Sequence, residues 1–274
     1  MPTRKEIREA AAELLGCLRR GTVSSATTTE VADPSLEDRF ASLDLMQAWL
    51  ETGGEVRRIV SYDPRSGKVA LARALTNAPA PGASYAIYFR LHPEDWDEAV
   101  NRGLQRCSYL TRLSVMPVAG QEAYAISFAG EATVQPHQIE GVWLRRASGA
   151  YIDEWPIWFA AEPGQIRIRP LAVVDANTSL VVHVRRYYQP LASDSATTDA
   201  PLPLVRAAAA AEAALVMFER APEAERPALQ RLYAEALAEF QVQARRHIPP
   251  PRSTPQWDAP MREYGYYRAI LPVD

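Results

Sequence analysis

The side chains best suited to chemistry in this 274-residue chain are four histidines, two cysteines and a handful of clustered carboxylates. Their spacing decides which reactions they could support. His92, His137, His183 and His247 stand far apart, and none forms the His-x-x-x-His or His-x-x-Glu-His spacing that puts two ligands on one helix face. Each is therefore expected to be a surface histidine or one satisfied by its neighbours. Cys17 and Cys107 are distant in sequence and sit in helical patterns with no local group that would lower a thiol pKa, which predicts buried thiols and excludes a disulfide scaffold. No Gly-x-Gly-x-x-Gly, no Gly-x-x-x-x-Gly-Lys-Ser/Thr and no Gly-x-Ser-x-Gly occurs, and Lys5 and Lys68 are the only lysines. Phosphate loops and serine nucleophiles thus lack a candidate, and no cofactor is expected.

Two carboxylate groupings remain. Asp153-Glu154 lies beside Trp155 and Trp158, with Trp143 upstream, a composition that an acid pair next to a sugar-stacking platform would have. The simpler account makes them strand-edge charges flanking core tryptophans. Glu94, Asp95, Asp97 and Glu98 follow His92-Pro93, where acidic side chains complement the positive end of a helix. Neither grouping requires catalysis, and the chain is expected not to be an enzyme.

The elements that would position these residues can be traced by period. Thr3 and Glu6 make a Ser/Thr-x-x-Glu capping box, and Ile7, Ala10, Ala11, Leu14, Leu15 and Leu18 follow at helical spacing toward Gly21. Thr22 to Val31, rich in β-branched residues and hydroxyls, predicts a strand or extended arm. From Glu55 the period becomes two: Val56–Tyr62 and Lys68–Leu75 flank the turn Asp63-Pro64-Arg65-Ser66-Gly67, and Ser84–Leu91 supplies a third strand. A helix then begins at Pro93, with Trp96, Val100, Gly103, Leu104, Cys107 and Leu110 on the face expected to cover this sheet. Six further strands are predicted at Leu113–Val118, Ala123–Phe128, Ile139–Arg145, Tyr151–Phe159, Gln165–Leu171 and Leu180–Tyr188. Pro190–Pro203 is polar enough for a linker, and two helices broken at Ala221-Pro222 predict a hairpin.

The expected class is α+β: small antiparallel β modules with an N-terminal helix, a central helix and a C-terminal helical hairpin, followed by an extended tail. The expected divisions are 1–112, 113–190, 203–247 and 248–274. Hydrophobic residues make up 47 % of the chain and charged residues 23 %, ordinary values for a folded protein, and the net charge of -3 provides no global basic field for nucleic acid. No run of eighteen apolar residues occurs, and the charged N-terminus lacks a signal-peptide core, so neither membrane nor export is expected. Of thirty basic residues all but two are arginine, whose planar fork suits paired contacts across interfaces.

The last stretch combines six prolines with Trp257, Tyr264, Tyr266 and Tyr267. Proline forbids a packed helix while the aromatics favour burial, so the segment is expected to dock on something else. Trp257, Tyr264, Tyr266 and Tyr267 are the predicted anchors, with Arg262 and Arg268 pairing to acidic groups on the partner. An apolar hairpin and such a tail, without an evident place of burial in one subunit, favour a closed ring of copies.

The order of parts carries a resemblance. The capped first helix, the Thr-rich strand, Arg-Arg-Ile-Val-Ser-Tyr-Asp-Pro-Arg-Ser-Gly-Lys (Arg57–Lys68), Pro-Gly-x-x-Tyr-x-Ile-Tyr (Pro81–Tyr88), Glu-Ala-Val-Asn-Arg-Gly-Leu (Glu98–Leu104), the second β module and the helical hairpin together resemble tailed-bacteriophage head-to-tail adaptor (connector or neck) proteins. The resemblance implies a structural virion protein, made in the host cytoplasm, that forms a ring, commonly twelvefold, in the neck. Its implied partners are copies of itself, the portal and a downstream tail or neck protein, with DNA only as cargo through the ring. It also implies that residues 248–274 are the docking element. The alternative from the residues alone is a carbohydrate-binding or hydrolytic β protein using Trp143, Trp155 and Trp158.

Overall fold

A computed structural model describes residues 1–37, 45–128, 133–148, 151–172 and 174–249. The predicted capping box opens α1 (Arg4–Leu14): the Glu6 amide donates to the Thr3 hydroxyl at 3.2 Å, and the Thr3 amide donates to the Glu6 carboxylate at 2.8 Å. The helix stops before Leu18, which the spacing had placed on its stripe. Gly16 adopts φ 66°, and the Gly16 and Cys17 amides return to the Glu13 and Ala12 carbonyls at 3.0 and 2.8 Å. This left-handed glycine cap satisfies the last carbonyls and turns the chain, so Leu18 opens strand β1 (Leu18–Thr22) instead.

The described residues form two units, Met1–Ser108 with Tyr187–Ile248, and Tyr109–Arg186 with Pro249. In the first, β1 is followed by β2 (Ser25–Ala26), β3 (Glu30–Ala32), β4 (Trp49–Thr52), β5 (Glu55–Asp63), β6 (Lys68–Leu71) and β7 (Ser84–Tyr88). They make one seven-stranded antiparallel sheet in the order β1-β7-β4-β5-β6-β3-β2. The Thr-rich stretch predicted as one strand is thus two short ones, because Thr27 accepts the Thr29 and Glu30 amides in a turn. Alternation splits the sheet's side chains between two cores. Leu50, Tyr85 and Ile87 join Val31, Leu36, Ile59 and Val69 on one face, while Ala86 and Tyr88 meet the helices on the other.

Three more helices complete this unit: α2 (Pro93–Arg106), α3 (Leu202–Arg220) and α4 (Arg226–His247). The alanine-rich α3 packs against α1, α2 and α4 together. Alanine permits that central position because backbones can approach closely, and at Gly103 of α2 any Cβ would lie 2.7 Å from the Ala209 amide nitrogen. The hairpin therefore buries its apolar face inside its own subunit, contrary to the expectation that it needs a neighbour. The predicted linker is likewise fastened down. The Arg4 and Lys5 amides donate to the Ala196 and Asp194 carbonyls at 3.0 and 3.3 Å, and Leu191 and Ala200 are buried.

The second unit contains β8 (Ser108–Val115), β9 (Ala123–Ala125), β10 (Ile139–Ser148), β11 (Tyr151–Ile157), β12 (Phe159–Glu162), β13 (Gln165–Ile168) and β14 (Thr178–Tyr187). All six predicted strands are present, the fourth divided at Trp158 into β11 and β12. A four-stranded sheet, β11-β10-β14-β8, and a three-stranded one, β12-β13-β9, share a core of Val142, Leu144, Leu180, Val182, Phe159 and Ile166. The architecture is the expected α+β, with small antiparallel sheets and four α-helices among the described residues.

Candidate functional site

The six predicted docking residues, Trp257, Arg262, Tyr264, Tyr266, Tyr267 and Arg268, lie outside the described residues. What is described is the point at which their segment begins. The Ile248 amide donates to the Ala244 carbonyl at 2.8 Å and closes α4. One residue on, the Pro249 carbonyl accepts from Nη2 of Arg185 at 2.9 Å. Arg185 stands on β14 and its Nε pairs with Glu140 of β10, both side chains being largely buried. A guanidinium bound on one side by a carboxylate and on the other by a carbonyl is held in a single orientation, which fixes where the segment starts.

The acid-pair arrangement dissolves once the register is known. Glu154 lies opposite Arg145 and Asp153 opposite Arg146 on β10, so the two carboxylates project to opposite faces of one sheet. They cannot flank a single glycosidic bond. Trp155 packs into the core of the second unit, Trp143 faces away from it and Trp158 is half exposed, so no common platform forms. Among the described residues no group of three or more His, Cys, Asp or Glu side chains could hold a metal ion. His92 caps α2 by accepting the Glu94 amide at 3.1 Å, and the fully buried His183 lies against Trp143 with ring centroids 4.0 Å apart. Both cysteines are buried, as expected, but each follows a helix rather than lying within one. Burial pushes the Cys17 thiol up to about 11, with Arg90 opposing, and the Cys107 thiol up to about 12.

The most heavily connected polar cluster among the described residues was missed by reasoning from the sequence. Arg8 of α1, only 2 % exposed, donates Nη1 to Asp97 at 2.8 Å, Nη2 to Glu51 at 3.0 Å and Nε to the Tyr88 hydroxyl at 3.2 Å. It also reaches Asp194 at 3.2 and 3.3 Å. Lys5 adds a 2.8 Å contact to Glu51, and Arg4 contacts Asp194 at 2.9 Å and Asp97 at 3.3 Å. Burial pushes the Asp97 pKa above its ordinary value, and Arg8 and Arg4 only partly offset it. At Asp194 burial acts in the same sense, but Arg4 and Arg8 outweigh it and the pKa falls. The cluster joins α1, β4, α2 and the segment after β14, four pieces distant in sequence. Its signal was faint but present: Arg8 follows Ile7 on the buried stripe, and Glu51 alternates with Leu50 onto the face covered by the helices.

This geometry is a scaffold with a fixed chain exit. Comparison with known families identifies what kind of scaffold it is. The family model for the SU10 adaptor protein matches residues 96–256, more than half of the chain, and the chain belongs to that family. It is a phage adaptor-type protein, as the order of its parts had suggested. The match begins on α2 and takes in the second unit's strands and both helices of the hairpin, leaving α1 and the seven-stranded sheet outside it. No curated protein matches the chain.

Proposed function

We propose that this protein is a head-to-tail adaptor that forms a ring in the virion neck and joins the portal to the tail. The observation that carries the proposal is the adaptor-family match over residues 96–256. Copies of the chain, twelve in the expected ring, contact one another, the portal and a downstream tail or neck protein, while DNA passes through as cargo. The role is structural and needs no cofactor. The segment from residue 248 carries the docking side chains, and its fixed departure at Arg185 and Pro249 supports that assignment.

The hairpin's apolar face is buried within its own subunit, and the outer face of α4 bears Arg231, Glu235, Gln241 and Arg245 around the partly exposed Val242, so the free subunit should stay soluble. Assembly then depends on the portal as a template. Purified chain mixed with purified portal should give a closed ring by native mass spectrometry and electron microscopy. A chain that binds no copy of itself in the presence of portal overturns the proposal.

A further inference from the structure

We propose that in the ring edge strand β8 of one copy pairs with edge strand β11 of the next, so that the four-stranded sheets of neighbouring subunits join. The sheet runs β11-β10-β14-β8, and among the described residues no strand lies beyond β8 or β11. The edge strands of the other two sheets are short: five residues at β1, two at β2, four at β12 and three at β9. Shortness is one way a sheet edge is kept from pairing with another chain. β8 and β11 have eight and seven residues, and β8, Ser-Tyr-Leu-Thr-Arg-Leu-Ser-Val, contains no proline and a single charge. Roughly half of the backbone amides and carbonyls of such a strand point away from its one neighbour and can receive a second.

The two edges fit each other better than either fits itself. β11 runs antiparallel to β10 and β10 to β14, and the Tyr188 amide just past β14 donates to the Cys107 carbonyl just before β8 at 3.3 Å, so β8 runs opposite to β14. The first and last strands of the sheet thus have opposite senses, and two copies side by side in one orientation set β8 antiparallel to β11. Leu113 and Val115 face the core, which turns Arg112 and Ser114 to the outer face. Trp155 and Ile157 do the same on β11 and turn Ile152 and Glu154 outward. With Arg112 opposite Glu154, Ser114 stands opposite Ile152, which is 55 % exposed in the free subunit. Pro156 has no amide and ends the ladder, leaving residues 111–115 to pair with 151–155. Among the described residues neither Arg112 nor Asp153 has an ion-pair partner, and Glu154 reaches Arg145 only at 3.8 Å. A β8–β8 pair centred on Arg112 would oppose two arginines, and a β11–β11 pair would oppose acidic side chains, both unfavourable. The contact is therefore heterologous, the kind that closes into a ring rather than a two-fold dimer.

The test uses the full chain carrying S114C or I152C, both at exposed positions, while native Cys17 and Cys107 are buried. Assembled on purified portal and treated with a short bismaleimide, an equal mixture of the two variants should cross-link one to the other about tenfold or more above the self-cross-linking of either alone. Self-cross-linking of a single variant at the level of the mixture, or no mixed product in rings of full mass, overturns the inference. Charge reversal supplies a second arm. Arg112→Glu should lower the ring yield by native mass spectrometry about tenfold or more, as should Glu154→Arg, and the double variant should recover it. Unchanged yield in both single variants overturns the edge contact and leaves the adaptor reading intact. The inference rests on that reading in needing a ring. Absence of any ring with the wild-type chain defeats the adaptor reading, and the same mixed cross-linking on concentrated free chain then decides the edge contact alone.

Discussion

Arg8 shows how much a single side chain can hold together. Three carboxylates and a tyrosine hydroxyl converge on one buried guanidinium. Removing one partner from a buried ionic cluster leaves uncompensated charge, which typically costs about 3–5 kcal/mol. Arg8→Ala should lower the unfolding free energy by an amount of that order in urea titrations, and adding Glu51→Gln and Asp97→Asn should recover part of it. Asp33 supplies a pH-dependent case. Burial disfavours its carboxylate, but the Tyr85 hydroxyl at 2.5 Å and the Ser35 amide at 2.7 Å outweigh that and hold its pKa below the ordinary 3.8. A lowered folded pKa contributes stability that is fully present above 3.8 and is lost as pH falls through the folded value. Asp33→Asn should therefore be destabilising at neutral pH and lose its effect in acid, as denaturation across a pH series would record. Asp97, raised by burial despite Arg8 and Arg4, has the opposite sign: its contribution diminishes as pH rises through its folded value.

Helix ends were the most readable elements. A capping box at Thr3 and Glu6 and a proline at the first position after His92 are local chemistry, and α1 and α2 begin where these signals lie. Thr3→Ala should cost about 1 kcal/mol by removing a helix cap. The far ends were harder, since a period of apolar residues does not mark where it stops. Leu18 and Leu110 continue helical stripes in sequence yet occupy β1 and β8, because Gly16 caps one helix and Cys107 becomes extended after the other. Packing between elements yields the sharpest test at this scale. Gly103→Val would drive a branched side chain into the α3 backbone at Ala208 and Ala209, so thermal unfolding should show a loss of about 1–3 kcal/mol or more.

For the molecule as a whole the predicted anchors can be examined through assembly. Changing Trp257, Tyr264, Tyr266 and Tyr267 to Ala should leave a folded subunit, because each unit already has a core built from described residues. Joining to the portal should be lost, given that the best aromatic sites of an interface contribute about 2 kcal/mol or more each. Arg262→Ala and Arg268→Ala should weaken joining and alter its salt dependence. By contrast, changing Asp153 and Glu154 together to Ala should leave assembly intact and abolish no sugar hydrolysis, since the two side chains point to opposite faces. Capsid assembly assays in vitro would separate these outcomes.

The α+β class, the two β regions, the helical hairpin and the family resemblance all follow from features a linear chain displays: caps, turns, period and the order of parts. They are local, with each element's signal lying within its own dozen or so residues. Tertiary structure alone decided the rest. It brought Arg8, Glu51, Asp97 and Asp194 together from four separate segments, buried the hairpin in its own subunit, and fastened residues 190–203 onto α1. It also set Asp153 and Glu154 on opposite faces and tied Pro249 to Arg185. Each of these depends on which faces meet, and facing is a property of packed elements that no spacing along one of them encodes.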